Sequence, residues 1–203
     1  MAESIVLLSG GIESTTLLHQ ERRHHSPTGL FVDYGQRGAA RERMAAQVQC
    51  ARLGVTLREL GMPAVGKAFR EGLDRRLHVP LPHRNLVVLS LGLSFADNHG
   101  AARLALALNR EDTASYASAS ADFLDHFKTL ARDLSPIEIA TPLLALSKAE
   151  VIDLGTGLGV EFEDTYSCLL GYPQHCGSCP QCQKRRAAFK AARRRDPTDY
   201  RRD

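Results

Sequence analysis

The chain has 203 residues, of which 43% are apolar and 24% are charged, and its formal net charge is +3 at pH 7. This length suits one domain with a short appendage, and the apolar fraction is sufficient for a packed core, which excludes disordered and fibrous proteins. No run of 18 apolar residues is present, and Glu3 lies where a signal peptide carries bases. We therefore expect a cytoplasmic protein without a membrane-spanning helix.

Basic residues and cysteines are distributed unevenly along the chain. Residues 184–203 hold nine lysines and arginines against three aspartates, so a mildly acidic body carries a basic C-terminal tail. Four of the five cysteines fall between residues 168 and 182, whereas Cys50 stands alone and is expected in the core. In a reducing compartment such a cluster favours metal binding over disulfides.

The first sixty residues alternate between strand-like and helix-like patterns. Their periodicity predicts, in order, a strand over 4–8, a helix over 12–25, a strand over 29–33, a helix over 37–53 and a strand over 55–60. The second helix ends at Gly54. This β-α-β-α-β order indicates a parallel sheet with helices on both faces.

The remaining elements extend the same pattern. They are a loop over 61–82, a buried helix over 85–99, a strand over 103–108, a loop over 109–121, an amphipathic helix over 122–133 and a strand over 137–140. Ser147 and Glu150 form a capping-box pattern that starts another helix, which we expect to end at Gly155. We predict a Rossmann-like α/β domain of about five parallel strands over 1–160 and a separate segment over 161–203.

The first strand runs into a Ser-Gly-Gly turn at the predicted start of a helix. Gly10 and Gly11 allow backbone N–H groups to approach a ligand, and the helix N-terminus directs further N–H groups and a positive dipole at the same place. Hydroxyl groups follow at Ser9, Ser14 and Thr15. These features predict an anion site, with phosphate as the leading candidate. The Walker pattern G-x-x-x-x-G-K-[ST] is absent, so this loop is not of the type that handles a γ-phosphate.

Residues 9–15 (SGGIEST) resemble the SGGxDS loop of the PP-loop ATP pyrophosphatases, whose fold is called adenine nucleotide alpha hydrolase-like. These enzymes cleave ATP to AMP and pyrophosphate while they adenylate a carboxylate, amide or carbonyl oxygen. The resemblance implies that Ser9, Gly10, Gly11, Ser14 and Thr15 hold the departing pyrophosphate and that Leu8 belongs to the nucleotide-binding residues. Glu13 stands where the family has Asp, which implies a carboxylate near Mg²⁺ and the phosphates.

The clustered cysteines form the pattern C-x7-C-x2-C-x2-C, made by Cys168, Cys176, Cys179 and Cys182. Four thiolates satisfy a tetrahedral Zn²⁺ ion, and the x2 spacings let a tight turn bring the sulfurs together. His175 is a poorer alternative ligand. An iron–sulfur cluster and a redox C-x-x-C pair are the other interpretations, but their tandem or helical context is missing. We predict a closed, structural zinc site.

The glycine loop combined with this cysteine pattern resembles the QueC-type 7-cyano-7-deazaguanine synthases, and the resemblance runs along nearly the whole chain. The further matching segments are residues 31–37 (FVDYGQR), 82–86 (PHRNL), 141–143 (TPL), 147–150 (SKAE) and 165–168 (TYSC). They are similar to the family's DYGQR, PGRN, TPL, [TS]KAE and TWSC segments.

The resemblance implies a specific chemistry. In this family ATP adenylates the carboxylate of 7-carboxy-7-deazaguanine, ammonia displaces AMP to give an amide, and a second adenylation dehydrates the amide to a nitrile. By resemblance, Lys148 and Arg84 neutralise charge on the phosphates, as electrostatic stabilisation requires, while Tyr34 and Gln36 border the nucleotide. ATP with Mg²⁺ is the implied cosubstrate, and a homodimer is the implied assembly.

One segment departs from the family. Relatives carry a Y-P-D-C-R-P-E-F-like segment on the substrate side, whereas here Tyr116 is followed by Ser118, Ala119 and Ser120 at the D-C-R positions. Neutral side chains cannot replace a carboxylate or guanidinium that holds a substrate without loss of binding energy. An alternative is therefore an enzyme that stops at the amide, or that transfers the deazaguanine acyl group to another amine, including a protein amine as in some anti-phage systems.

The basic tail leaves one non-enzymatic alternative, a zinc-knuckle RNA-binding module, because clustered cations bind phosphates. Phe189 is the only aromatic residue between positions 184 and 195, so partners for base stacking are scarce. We favour a charged helix over 183–195 that packs against the body, and nucleic acid is not the expected partner.

Overall fold

The computed structural model describes residues 2–72 and 81–201. The strands in those ranges are β1 (Glu3–Leu7), β2 (Ser26–Asp33), β3 (Leu57–Gly61), β4 (Arg103–Leu106) and β5 (Glu138–Ala140). Every neighbouring pair is parallel, and the order across the sheet is β3-β2-β1-β4-β5. The predicted α/β class with a five-stranded parallel sheet is confirmed.

Helices cover both faces of the sheet. Those described are α1 (Ile12–His24), α2 (Ala39–Leu53), α3 (Pro63–Arg70), α4 (Arg84–Asn98), α5 (Arg110–Ser115), α6 (Ala121–Leu134), α7 (Lys148–Gly157) and α8 (Pro180–Ala191). Within the two described ranges, no helix has the length and apolar character needed to cross a bilayer.

The central strand β1 is buried on both sides because its side chains alternate between two cores. Ile5 and Leu7 join the core that includes Leu89 of α4, whereas Val6 joins the core that includes Leu17 of α1. A strand covered on both faces needs a continuous apolar run, which residues 5–8 supply after the buried Ser4.

The strand order places a crevice at the carboxyl ends of β1 and β4. The chain leaves β1 towards β2 on one side, and later returns through α4 to β4 on the other side of β1. The carboxyl ends of strands at such a reversal are where parallel α/β proteins bind ligands. The glycine turn follows β1 at this point, and Asn109 follows β4.

The prediction of a loop over 61–82 was wrong for its first part, where α3 lies. Pro63 occupies the first turn of α3, a position where a fixed φ favours helix initiation. Gly66 lets α3 approach the turn after β2, because a Cβ there would lie 2.2 Å from the carbonyl oxygen of Tyr34. Positions 73–80 of the predicted loop lie outside the described residues.

The prediction of a loop over 109–121 was also wrong, because α5 lies within it. Asn109 is its N-cap and forms a reciprocal capping box with Asp112. The Asn109 side chain accepts from the Asp112 N–H at 2.9 Å, and the Asp112 carboxylate accepts from the Asn109 N–H at 3.2 Å. Two paired caps stabilise a six-residue helix whose composition is polar and small.

The helix after Ser147 starts with the predicted capping box but does not end at Gly155. A Cβ at Gly155 would lie 2.6 Å from the ring of Phe162 and from the hydroxyl of Thr16, so this glycine permits close packing inside α7. The helix continues to Gly157.

The C-terminal helix α8 lies earlier than the predicted 183–195. Pro180 directly follows a cysteine of the cluster and begins the helix, which ends at Ala191. The Tyr166 N–H donates to the Gly10 carbonyl at 2.9 Å, so the chain before α8 packs on the glycine turn. The division into 1–160 and 161–203 stays a prediction.

Candidate active site

An open cavity of about 250 Å³ lies at the carboxyl ends of β1, β2 and β4. The sequence-predicted site residues that line it are Leu8, Ser9, Gly11, Glu13, Ser14, Tyr34, Gln36 and Arg84. The segments that supply them are far apart in the chain, and the sheet brings them to one edge.

The glycine turn presents polar groups to this cavity. The Ser14 hydroxyl accepts from the Ser9 N–H at 3.2 Å, and the two hydroxyl oxygens are 3.1 Å apart. Gly11 is the N-cap of α1 and has no side chain to cover the first N–H groups of the helix. A turn of this kind offers hydroxyls and helix-terminal N–H groups to an anion.

Gly10 and Thr15 occupy the same turn but do not line the cavity. Gly10 has a positive φ of 71°, and a Cβ there would lie 2.6 Å from the Glu42 carbonyl and 2.7 Å from the Ala45 side chain. Its lack of a side chain therefore lets the turn pack against α2. The Thr15 hydroxyl is buried and has no hydrogen-bond partner in the described structure.

Glu13 is held between two residues from other elements. Its Oε1 accepts from Lys148 Nζ and, at 3.0 Å, from Asn109 Nδ2. The side chains of Lys148 and Glu13 are only 15% and 17% exposed, so solvent screens this ion pair weakly. Lys148 is the first residue of α7, and Asn109 is the N-cap of α5.

The charge state of Glu13 follows from these contacts. Burial raises the pKa of this carboxyl, but the charge and hydrogen bond of Lys148, together with the Asn109 amide, outweigh burial and lower the pKa below its ordinary value. Glu13 is therefore an anion at neutral pH, fixed in position at the edge of the cavity.

The end of β2 supplies the opposite wall. The Gln36 side chain accepts from the Tyr34 N–H at 3.0 Å and donates to Glu42 Oε2 at 3.0 Å. Arg84 Nη1 lies 3.5 Å from the Tyr34 hydroxyl. Burial raises the pKa of Tyr34, so its phenol is neutral and can donate a hydrogen bond.

Sequence reasoning missed Asn109, Asp112 and Glu42. Asp112 and Glu42 line the cavity, and burial raises the pKa of both carboxyls. Asn109 is 3% exposed and joins α5 to Glu13. The pattern N-x-x-D directly after a predicted strand was a signal for the first two, but nothing local marks Glu42, which is a helical residue brought to the cavity by the packing of α2.

The neutral segment over 118–120 lies behind the cavity wall. Tyr116 lines the cavity, whereas Ser118 is buried and its carbonyl accepts from Asn85 Nδ2 at 3.1 Å. Ser120 is the N-cap of α6, where its hydroxyl accepts from the Phe123 N–H at 3.2 Å. The serines therefore have structural hydrogen bonds, and the segment presents no charged group to a ligand.

The four cysteines of the cluster come together as predicted. Their sulfur atoms all lie within 4.8 Å of one another. Burial raises the pKa of the Cys176 thiol, but hydrogen bonds from the Cys179 and Ser178 backbone outweigh it and bring the pKa to about 6. The arrangement can hold a metal ion. Cys50 lies elsewhere, is 2% exposed in the core, and burial raises its pKa to about 11.

His175 lies beside the cluster and has a different task. Its Nε2 accepts a hydrogen bond from the Ser167 N–H at 3.0 Å, so this nitrogen carries no proton. The contact supports the loop that carries Cys168. Burial lowers the pKa of His175 to about 4. The group of ligand atoms that could hold a metal ion consists of the four sulfurs and does not include this ring.

The basic tail is partly buried. Arg185 is 0% exposed and donates to the Phe162 carbonyl at 2.7 Å and the Thr165 hydroxyl at 2.7 Å, and it forms an ion pair with Asp196 at 3.3 Å. Arg194 forms an ion pair with Asp153 of α7 at 2.6 Å. Arg185 therefore attaches α8, and Arg194 attaches the segment after it, to the rest of the protein, as the predicted packing requires.

Together, the parallel sheet with its reversal of strand order, the glycine turn that lines a cavity at the reversal and the C-terminal cysteine cluster define an α/β protein with a candidate site at the carboxyl ends of its strands. The family model described as "Queuosine biosynthesis protein QueC" matches residues 3–193. The chain belongs to the QueC family.

Named relatives are similar along their whole length. The chain is 32% identical over 199 residues to 7-cyano-7-deazaguanine synthase 1 of Sulfurisphaera tokodaii, covering 98% of each chain. It is 31% identical over 217 residues to the 7-cyano-7-deazaguanine synthase of Brucella ovis, covering 98% of this chain and 93% of that one.

Solved structures confirm the fold. The NMN synthetase of Francisella tularensis superimposes with a TM-score of 0.59 at 15% identity, covering 96% of this chain and 78% of that one. The U34-tRNA thiolase NcsA of Methanococcus maripaludis, solved with its [4Fe-4S] cluster, gives 0.54 at 14% identity, covering 94% and 67%. At these identities the likeness concerns the fold alone.

Proposed function

We propose that the chain is an ATP-dependent C–N ligase that adenylates the carboxylate of 7-carboxy-7-deazaguanine with release of pyrophosphate, after which ammonia displaces AMP to give the amide. A second ATP then adenylates the amide oxygen, and that oxygen leaves with AMP to give the nitrile 7-cyano-7-deazaguanine. Membership of the QueC family and two relatives named as 7-cyano-7-deazaguanine synthases support this reaction. The observation that carries it is the Ser9–Ser14 turn, which opens into the cavity beside the Glu13–Lys148 ion pair.

The residues of the turn have distinct tasks in this proposal. The Ser9 and Ser14 hydroxyls and the N–H groups at the start of α1 bind the phosphates that leave as pyrophosphate. The carboxylate oxygen of the substrate forms a bond to the α-phosphorus, and the bond to the bridging oxygen of pyrophosphate breaks. Lys148 and Arg84 offset the negative charge that accumulates on the phosphates. Leu8, Tyr34 and Gln36 border the nucleotide.

Glu13 fits a site for ATP with Mg²⁺. Carboxylate oxygens are ligands that Mg²⁺ prefers, and the ion usually binds through one or two of them together with phosphates and water. Glu13 is ionised and lines the cavity, and Asp112 lies on the same side. When bound, Mg²⁺ supplies charge neutralisation to the triphosphate.

The geometry of the cysteine cluster fits a zinc ion. In a tetrahedral site with Zn–S bonds of about 2.3 Å, neighbouring sulfurs lie about 3.8 Å apart. The sulfurs of Cys176 and Cys182 are 3.9 Å apart, and all four fall within 4.8 Å. An iron–sulfur cluster places iron and sulfide atoms between its cysteines and separates some of them further. Four protein ligands close the site, so its task is structural.

The direct test incubates the purified chain with ATP, Mg²⁺, 7-carboxy-7-deazaguanine and ammonium, and follows AMP and the deazaguanine products by mass spectrometry. Formation of AMP together with the nitrile supports the proposal. If AMP forms but the acyl group remains as an amide, the reaction ends after one adenylation. Absence of AMP with this acid contradicts the proposal.

A second candidate keeps the adenylation and changes the acceptor. It is favoured by the neutral segment over 118–120, whose serines serve the backbone and offer no charge to a substrate. In that case the acyl group passes to an amine other than ammonia, including one on a protein. Intact-mass measurement of candidate acceptor proteins after incubation with ATP and the acid distinguishes it, because an adduct replaces the nitrile.

We expect a homodimer, as the family resemblance implies, and light scattering measures it. The RNA-binding alternative has fewer free cations than the composition suggests, because Arg185 is buried and both Arg185 and Arg194 form ion pairs. Tight RNA binding without AMP formation would favour that alternative.

A further inference from the structure

The acid substrate proposed above carries a negative charge that the cavity must accommodate beside a triphosphate. Ser118, Ala119 and Ser120, which follow the cavity-lining Tyr116, offer no positive charge to the cavity. Two cations near the cavity, which the proposed function assigns to the phosphates of ATP, already have contacts with neighbouring residues. Lys148 pairs with Glu13, and Arg84 contacts Tyr34. A cation beside Tyr116 would offset the charge of the acid without breaking these contacts.

Lys184 of α8 lies on that side. Its Nζ is 5.8 Å from the centre of the Tyr116 ring, and Tyr116 lines the cavity. Gln181 precedes Lys184 by one helical turn and lines the cavity, whereas Lys184 itself is exposed and reaches the cavity-lining Tyr116 from outside. In the described part of the chain no carboxylate lies within ion-pairing distance of Lys184, which leaves its charge available.

Electrostatics at Asp112 agree with this placement. Burial raises the pKa of Asp112, and the positive charges of Lys148 and Lys184 act against that rise. Asp112 lines the cavity, so the ammonium group of Lys184 acts on groups inside it. The Asp112 carboxylate accepts a hydrogen bond from the Asn109 N–H within its own capping box and does not bind Lys184 directly.

We propose that Lys184 binds the carboxylate of the acid substrate and supplies the positive charge that residues 118–120 do not offer. This inference rests on the proposed function. The ammonium group neutralises the repulsion between the carboxylate and the triphosphate, and it orients one carboxylate oxygen for attack on the α-phosphorus. Because α8 starts inside the cysteine cluster, the cluster sets the position of this cation.

The neutral amide intermediate provides an internal control. The first adenylation starts from a carboxylate, whereas the second starts from an uncharged amide. A residue that binds through charge contributes to the first and not to the second. A residue that merely packs against the substrate contributes to both.

The test compares the wild type with Lys184→Met, Lys184→Arg and, as a matched control on an exposed position of the same helix, Lys190→Met. The rate of AMP formation is measured against the concentration of the acid, of the corresponding amide and of ATP. Calorimetry measures binding of the acid directly. We expect K184M to raise KM for the acid by about tenfold or more, which corresponds to about 1.4 kcal/mol. KM for the amide and for ATP should stay within about twofold.

Lys184→Arg retains the charge and is expected to stay close to the wild type, as is K190M. An unchanged KM of K184M for the acid, or an equal rise for acid and amide, overturns the assignment while leaving the adenylation intact. A wild type that neither binds the acid nor forms AMP with acid or amide removes the proposed function and this inference together.

Discussion

Glu13 and Lys148, separated by 135 positions in the chain, form an ion pair at the edge of the cavity. Glu13 lies in the first turn of α1 and Lys148 is the first residue of α7, so the pair joins the starts of two helices. A lysine at a helix N-terminus opposes the helix dipole. The carboxylate of Glu13 offsets that cost and keeps the ammonium beside the glycine turn.

Glu13→Gln is expected to destabilise the fold at neutral pH. The folded-state pKa of Glu13 lies below its ordinary value of 4.5, so its stabilising effect is complete above that pH and is lost as the pH falls through the lowered pKa. We expect a loss of about 1–3 kcal/mol at pH 7, since breaking a largely buried pair leaves Lys148 without its counterion.

Urea unfolding of E13Q and the wild type between pH 3 and pH 7 measures this effect. The two curves should converge at low pH, where the wild-type carboxyl is protonated. Glu163→Gln, at an exposed position, is the matched control and should change little. A gap that is constant across this pH range would contradict the assignment of the stabilisation to the charge.

Asn109 positions Glu13, and its substitution is expected to slow adenylation. Asp and Ser both serve as N-caps, so Asn109→Asp and Asn109→Ser retain a cap for α5. Both lose the amide that donates to Glu13 at 3.0 Å, and Asp adds a second negative charge beside it. We expect kcat for AMP formation to fall in both, by about 100-fold in N109D, because small displacements at a reacting centre are costly.

The melting temperature of both variants, measured alongside kcat and KM for ATP, separates positioning from folding. A kcat loss at a nearly unchanged melting temperature supports the positioning role. Wild-type kcat in N109D would show that the contact with Glu13 has no part in the reaction.

Gly10→Ala tests the close approach of the glycine turn to α2. A Cβ at Gly10 would lie 2.6 Å from the Glu42 carbonyl, and the positive φ of 71° adds strain of about 1 kcal/mol or more. Gly54→Ala is the matched control, because Gly54 has a similar φ of 61° but faces open space. Thermal and urea unfolding should show about 1 kcal/mol of destabilisation for G54A and at least about 3 kcal/mol for G10A. An equal loss of stability in G10A and G54A would show that α2 moves away from the added methyl group without an energetic cost.

Arg185→Met tests the attachment of α8. The substitution leaves Asp196 without its cation and removes the donors to the Phe162 carbonyl and the Thr165 hydroxyl. Breaking a buried, hydrogen-bonded ion pair on one side costs about 3–5 kcal/mol. Lys190→Met, at an exposed position of the same helix, is expected to change stability by less than about 0.5 kcal/mol in the same urea titration. If R185M lowers the free energy of unfolding only slightly, the cysteine cluster alone is sufficient to hold α8 in place.

Removal of the metal is expected to loosen the C-terminal segment. Metal content is measured by mass spectrometry on the wild type, on Cys179→Ser and on Cys50→Ala. We expect one zinc per chain in the wild type and in C50A, and a lower melting temperature with loss of zinc in C179S or after chelation. Iron in place of zinc would contradict the proposed metal.

Local patterns in the sequence were sufficient for much of the fold. The β-α-β-α-β order of the first sixty residues predicts a parallel sheet covered by helices on both faces, and that architecture is confirmed. Ser147 and Glu150 predict the start of α7, because a capping box depends only on residues three positions apart. The cysteine spacing likewise predicts its own cluster, as short loops restrict where the sulfurs can go.

Other features depended on neighbours that are distant in the chain. Gly155 resembles a helix end, but the ring of Phe162 packs against it and the helix continues. The polar residues after Asn109 resemble a loop, but reciprocal capping supports a helix there. Local composition has no information about such packing partners.

The sequence by itself therefore determined the class of fold, the position of the glycine turn after β1 and the grouping of four cysteines. Only the tertiary structure decided that Glu13 pairs with Lys148, that Glu42 and Asp112 face the same cavity, and that Lys184 lies over Tyr116. The physical reason is that the features predicted from the sequence depend on backbone conformation and short loops, which neighbouring residues control. The contacts that only the tertiary structure decided depend on the order of the parallel strands, whose carboxyl ends meet only after helices have crossed both faces of the sheet.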